Sequence, residues 1–471
     1  MAKTAIPLLL LVTPFDSSLF GKDDCISQNY YGNVLDGNTV NSVFIADGSC
    51  INSWASQTLA PSASVAPLLQ GPQQLVWIEE KAVDSSVKAT SVGNEFEHFL
   101  ERLSSTRPDQ APQAQQVFNS DQLYGYELLH RTATAALLSM SPDMAYRLDT
   151  LLPKYWKPTV LPSSPVSFIP VPDSAVEPVR KALSTLKFNP TVDSLVNSIS
   201  VPQMKNDARF LTGEDEKSGI VSRHSFSSGA RVAAQWLKER FEDTGATCEL
   251  KTFLQGFAPN VVCRYDSVVD TNGTVLISAH YDSRGSFGST RAPGGDDDGS
   301  GTTALLNIAR AIGRNGVKFH QNVELVAFAG EEQGLFGSRY YSGDLRAAGA
   351  NITLMIQADM LGYHKEGENP QLGLPDRIGT PEVAQLVANI SALYSPELEV
   401  GFTQACCSDH QSFHQNGYPA TQVFERAGPI ADPMYHNSGD LTDRPGYDFE
   451  QIKSIAKVQF ATLLHFAGFE L

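Results

Sequence analysis

His280 and Asp282 stand one residue apart, and Asp296, Asp297 and Asp298 follow between Gly294-Gly295 and Gly299. Glu331 and Glu332 come next as a pair after Ala329-Gly330, then Asp359, then His436. Imidazole nitrogen and carboxylate oxygen are donors that zinc accepts, and a catalytic zinc keeps one position open for water. His280, Asp296, Asp359, His436 and one of the two glutamates make a set too large for one such ion. It suits two ions that share a carboxylate. Asp296 opens the acidic turn and could supply the bridge. Two ions about 3.5–4 Å apart hold a bridging hydroxide and polarise a carbonyl, which is hydrolytic chemistry. Singly, each residue has a plainer explanation: a solvated turn or helix N-terminus for the Asp triplet, surface charge for the glutamates, a structural role for His436. Their arrival together, from separate stretches of chain, is what singles them out.

Those stretches follow short apolar runs. Residues 274–278, 323–328, 353–357 and 420–424 read as buried strands. His280 and Asp282 follow the first, Glu331 and Glu332 the second, and Asp359 the third. Residues 301–312 read as a helix between the first two strands. Residues 228–243 form another, with Ala233, Trp236, Leu237 and Phe241 at helical spacing and Gly245 as the stop. This alternation predicts an α/β fold with a mixed, mainly parallel central sheet flanked by helices. In open sheets of that kind, ligand sites form beyond the carboxyl ends of the strands.

Upstream the character changes. Residues 1–20 read as a signal peptide, with Lys3 before an apolar run too short to span a bilayer. Residues 21–152 mix strand and helix patterns without a catalytic cluster and are expected to form a smaller α+β prosegment or accessory domain. Within them, residues 94–103 read as a helix and Ser141-Pro142-Asp143 as a helix start. Seven prolines between Pro153 and Pro178 predict an extended linker over residues 153–178. That leaves 179–471 as the catalytic domain. Sequons at Asn272, Asn351 and Asn389 and an even count of six cysteines fit a secreted glycoprotein with disulfides. Proximity pairs Cys25 with Cys50 and Cys248 with Cys263. The neighbours Cys406 and Cys407 are left bonded to each other, a strained arrangement across Cα atoms about 3.8 Å apart, or as free thiols, or in rearranged pairings. A formal charge of −17, from 35 basic and 52 acidic residues, offers no basic patch for nucleic acid. No second segment is apolar enough for a membrane anchor, and a monomer is the expected state.

The motifs H-Y-D, A-P-G-G-D-D-D-G-S-G, F-A-G-E-E-Q-G-L-F-G-S, Q-A-D-M, S-D-H-Q-S-F and M-Y-H-N-S-G-D run in that order over roughly residues 185–471. They resemble the secreted co-catalytic zinc aminopeptidases of the leucyl aminopeptidase type, a superfamily shared with glutaminyl cyclases and glutamate carboxypeptidases. The resemblance implies two zinc ions per chain. His280 and Asp359 would hold one, Glu332 and His436 the other, with Asp296 bridging and a cis-like peptide after the bridge. It makes Glu331 the general base and places Asp282 behind His280, accepting its other N–H. His320, His364, His410 and His414 stay structural. Such relatives often carry two cysteines a few residues apart with a tyrosine between them, whereas Cys406 and Cys407 are adjacent and follow Thr403, Gln404 and Ala405. The implied activity is removal of neutral or hydrophobic residues from peptides with a free N-terminus, by a zymogen that works through a zinc-bridged hydroxide. A cyclase with one zinc, a carboxypeptidase and a binding ectodomain without catalysis are the alternatives; the complete ligand set and base favour hydrolysis.

Overall fold

A computed structural model describes residues 8–16, 20, 25–52, 63–68, 71–81, 84, 95–105, 126–286, 289–405 and 407–471. The chain divides into two units, Met1–Phe168 and Ile169–Leu471.

The first unit holds two four-stranded antiparallel sheets. Strands β1 (Leu8–Pro14), β2 (Tyr30–Asp36), β3 (Thr39–Asp47) and β4 (Ser64–Pro67) lie in the order β2-β3-β1-β4. Strands β5 (Gln74–Glu80), β6 (Glu127–Arg131), β7 (Ala135–Met140) and β8 (Trp156–Val160) lie in the order β6-β7-β5-β8. The two sheets thus repeat one topology, with the first strand inserted between the third and fourth. Leu10, Val12, Val43 and Ile45 of one sheet and Leu75, Trp77, Ala135 and Leu137 of the other fill a common apolar core. Helix Glu95–Ser105 and the short helix Pro142–Ala145, entered through Ser141, accompany the sheets.

Residues Leu8–Pro14, which include the end of the apolar run, form strand β1, paired with β3 on one side and β4 on the other. Leu10 and Leu11 are fully covered. Residues 153–178 are the Pro-rich stretch. They contain β8 and the start of helix Asp173–Thr185, and the division between units falls at Phe168 and Ile169. Two of the prolines occupy positions that tolerate a missing N–H: Pro158 lies in an edge strand and Pro172 at the cap of the helix. Pro178 sits inside that helix.

The second unit continues with β9 (Thr247–Lys251), β10 (Asn260–Tyr265), β11 (Gly273–His280), β12 (Lys318–Phe319), β13 (Asn322–Phe328), β14 (Asn351–Ala358), β15 (Gln371–Pro375), β16 (Glu399–Thr403), β17 (Ala420–Val423) and β18 (Phe469–Glu470). Six of these form the central sheet, in the order β17-β14-β11-β13-β10-β9. The first four in that order run parallel, and β10 and β9 join antiparallel. Every residue of β11 is buried, as a strand covered on both faces requires. Helices Ser228–Glu242, Gly299–Asn315 and Phe449–Ala467 contribute Leu237, Phe241, Leu305, Ile308, Ile455 and Phe460 to the core around the sheet. Cys25 is bonded to Cys50, and Cys248 to its cross-strand neighbour Cys263. Cys407 is disulfide-bonded, and Cys406 lies outside the described residues. Among the described residues no helix is long and apolar enough to cross a membrane.

Candidate metal centre

Strand register assembles the site. His280 lies opposite Phe328, so the loop with Glu331 and Glu332 emerges beside it. Ser278 lies opposite Gln357, which puts Asp359 level with His280 on the other side. His280 Nε2 is 3.3 Å from Asp297 Oδ1 and 3.8 Å from Asp359 Oδ1. His436 Nε2 is 3.2 Å from Asp297 Oδ2 and 3.1 Å from Glu332 Oε2. The result is two buried groups, His280–Asp297–Asp359 and Asp297–Glu332–His436, each with its donor atoms within 4.8 Å of one another. Donors that are each about 2 Å from one tetrahedral ion lie about 3.3 Å apart, so the spacing fits one ion in each group. The charge fits too. Asp282, Glu331 and Asp409 are buried alongside Asp297, Glu332 and Asp359, and so much negative charge away from water is costly without cations. Burial alone would push the His280 imidazole down, but the carboxylates of Asp282, Asp297 and Asp359 hold it well above its usual range. Against its own burial, Asp297 is held well below the carboxylate range by the two histidines.

The three consecutive aspartates do different work. Asp297 turns one oxygen toward each histidine. Asp298 caps helix Gly299–Asn315: its Oδ1 accepts the N–H groups of Gly301 at 2.9 Å and Met360 at 3.2 Å, and its Oδ2 accepts that of His280 at 3.0 Å. Asp296, the expected bridge, belongs to neither group. Its Oδ1 accepts the N–H of Gly362 at 2.7 Å, and its carboxyl lies against Glu425. The physical reason is the pinning of the turn. Asp440 accepts the backbone N–H groups of both Asp296 and Asp297 and is itself held by Arg444. With Asp296 tied to Gly362, the next carboxylate is the one that reaches between the histidines. The shared position is therefore Asp297, and the cis peptide follows it, between Asp297 and Asp298. The glycines allow this closeness. Gly294 has φ +50°, and a Cβ there would sit 2.4 Å from the carbonyl oxygen of Asp297.

Asp282 couples the histidine to the glutamates. Its Oδ1 is 3.5 Å from His280 Nδ1, and its two oxygens accept the N–H groups of Glu331 and Glu332 at 3.3 Å each. Ser225 donates to the same carboxylate and accepts the N–H of Gly330. Of the glutamate pair, Glu332 lies in a metal group and Glu331 in neither, although Glu331 is buried and acts electrostatically on His280. Leu335, Met360 and His436 have φ of 61°, 52° and 52°, a left-handed conformation that costs roughly 1–3 kcal/mol per residue and concentrates at functional sites. His410, buried, and His414, partly buried, lie outside both groups, and their removal from water lowers them to about 3 and about 4. His364 bonds to Asp448 at 2.9 Å.

Two arginines carry no motif and escaped the sequence reading. Arg284 donates to His436 Nδ1 at 2.7 Å. Arg223, fully buried, donates to the carbonyls of Tyr281, Leu211, Pro293 and Gly294. It thereby fastens the His280–Asp282 loop to the segment leading into the acidic turn. Arg223→Met would leave four carbonyls without that donor. Unmade buried hydrogen bonds cost about 1–3 kcal/mol each, so this variant is expected to lose about 3 kcal/mol or more of stability, read as a lower urea midpoint. An unchanged midpoint would refute the clamp.

A family model described as Peptidase family M28 matches residues 260–462, a stretch that contains every residue of both metal groups. A probable leucine aminopeptidase of Arthroderma otae is 33% identical over 266 residues, covering 53% of this chain and 68% of that protein. One of Trichophyton verrucosum is 32% identical over 285 residues, covering 57% and 73%. Among solved structures, the LapA aminopeptidase of Legionella pneumophila aligns with a TM-score of 0.57 at 16% identity, over 85% of this chain and 100% of that one. LapB of the same organism aligns with a TM-score of 0.57 at 18%, over 84% and 99%. At such identities these two structures bear on the fold, which they share. Together with the fungal relatives and the matched motifs, they lead to one conclusion: the chain belongs to peptidase family M28.

Proposed function

We propose that this zinc-dependent aminopeptidase works with two zinc ions. His280 and Asp359 would hold one and Glu332 and His436 the other, with Asp297 shared and Glu331 as general base. The observation that supports this most is the Asp297 carboxylate, with one oxygen toward each histidine. When bound, the ions polarise the scissile carbonyl and acidify water. Glu331 takes the proton from the attacking water and returns it to the leaving amine. Asp282 holds both His280 and the backbone of Glu331, so base and ligands keep one geometry.

The substrates are peptides with a free N-terminus and a neutral or hydrophobic first residue, in keeping with relatives named leucine aminopeptidases. Recognition of a substrate carboxylate is less well supported, because the arginines around the site have other engagements. Arg426 grips Glu368 with two nitrogens and Pro429 with a third, Arg444 binds Asp432 and Asp440, and Arg284 faces His436. A cyclase with one zinc would leave Asp297 nothing to share. Exposed asparagines in all three sequons and the disulfides support export.

The test takes protein recovered from the medium of expressing cells, supplies zinc, and offers a leucine-initiated peptide in free and N-acetylated form, with products followed by mass spectrometry. Stepwise loss from the free peptide alone is expected. Cleavage of both forms would replace the reading with a carboxypeptidase or endopeptidase. Cleavage of neither would favour the cyclase or a binding protein, and absence from the medium would overturn export.

A further inference from the structure

We propose that Asn272 and Asn351 act as a single N-glycosylation site: the chain carries a glycan on Asn272 and, because of it, none on Asn351. This rests on the export proposed above. The sequons Asn272-Gly273-Thr274 and Asn351-Ile352-Thr353 are far apart in sequence, but the parallel pairing of β11 with β14 sets Gly273 opposite Asn351. Both asparagines are exposed, and Asn351 Nδ2 donates to Asn272 Oδ1 at 3.0 Å. The two acceptor amides are thus in direct contact, on neighbouring strands about 4.8 Å apart. A glycan is bulky and needs open surface, and two of them would have to leave from one spot.

The fold also selects which asparagine is modified. Transfer from a lipid diphosphate carrier forms a bond between Asn Nδ2 and the anomeric carbon and breaks that carbon's bond to the diphosphate. The lipid diphosphate leaves with the electron pair, and Nδ2 gives up one proton. The transferase must reach the threonine of the sequon as well as the asparagine. In the folded chain Thr274 is 6% exposed, with Asn322 of β13 paired on one side and Ile352 of β14 on the other. Asn272 is therefore modified before β11 pairs, and both neighbours of β11 lie later in the chain. Asn351 is made 79 residues later, and β14 brings it against an asparagine that already holds its glycan. The hydrogen bond fits that order. A glycan on Asn272 Nδ2 leaves Oδ1 free to accept, whereas one on Asn351 would take a hydrogen from the donating nitrogen. From this end β11 runs eight residues to His280, roughly 25 Å, so the glycan stands clear of the metal centre.

The test takes the full chain from the medium of a glycosylating host, maps glycopeptides to each sequon, and counts glycans per chain by intact mass before and after enzymatic removal. Asn272 should be occupied and Asn351 bare on the same molecules, and glycan removal should leave kcat/KM unchanged. Asn272→Gln should shift the glycan to Asn351, because the block is gone. Glycans on both asparagines of one chain would overturn the proposal, as would occupancy of Asn351 instead of Asn272 in wild type. An Asn351 that stays bare in Asn272→Gln would also overturn it, and if that variant is not secreted the wild-type map and intact mass decide alone. Secreted protein bare at both asparagines would sink the proposal and leave export standing. Protein held in the cell and bare at all three sequons, Asn389 included, would sink export with it.

Discussion

Asp297→Asn is expected to cut hydrolysis sharply and release zinc, whereas Asp296→Asn is expected to keep the wild-type zinc content. The contrast follows from what each carboxylate touches. Asp297 offers one oxygen to each histidine group, and an amide can present only one oxygen, its nitrogen being a donor. At least one ion should be lost, and with it several kcal/mol of transition-state stabilisation, so kcat/KM should fall by about a thousandfold or more. Asp296 instead lies against Glu425 in a buried pair. Burial and neighbouring carboxylates, Asp432 and Asp440 for Asp296 and Asp296 itself for Glu425, hold both well above the usual carboxylate range. Asp296 lies in neither metal group, and in the amide variant the Gly362 N–H still finds an oxygen. Zinc content by elemental analysis, with kcat/KM on a leucine substrate, decides the matter. Retention of two ions by Asp297→Asn together with their loss in Asp296→Asn would return the bridge to Asp296.

The same comparison shows where the sequence was legible and where it was not. His280 and Asp359 could be brought together from sequence because each follows a short apolar run, and parallel register does the rest. The triplet could not be resolved that way. Three identical side chains in a turn have no periodicity, and the choice among them is made by Asp440, Arg444 and Gly362, which arrive from distant segments. The glutamate pair has the same ambiguity, and the difference between them is a distant one: Glu332 Oε2 lies 3.1 Å from His436 Nε2, whereas Glu331 belongs to neither metal group. In the N-terminal unit, an apolar run such as Leu8 to Leu11 suits a leader and an internal strand equally, and its pairing with β3 and β4 has no local signal. Prolines are equally ambiguous, because edge strands and helix starts tolerate a missing N–H as linkers do. Arg284 was in plain view two residues after Asp282, but nothing local says that its guanidinium ends on a histidine 152 residues away.

Glu331→Gln separates chemistry from metal binding more cleanly than any change at a ligand. The substitution keeps the side chain's volume and leaves the Glu331 backbone N–H on Asp282, so the loop that carries Glu332 should hold its shape. Because Glu331 lies in neither metal group, zinc content should stay at the wild-type value. On the proposed mechanism, what would be lost is the group that takes a proton from water and gives it to the leaving amine, a function worth about 10²–10⁴ in rate. The loss should appear in kcat with KM little changed, since proton transfer belongs to the transition state rather than to substrate binding. Glu332→Gln, one residue on, should do the opposite and lose an ion first, because Glu332 Oε2 lies beside His436 Nε2. Zinc lost from Glu331→Gln and retained in Glu332→Gln would exchange the two roles. Near-normal kcat in Glu331→Gln would remove Glu331 from the chemistry and leave proton transfer to another buried carboxylate, of which Asp409, within electrostatic reach of both Glu331 and His280, is the nearest candidate in character.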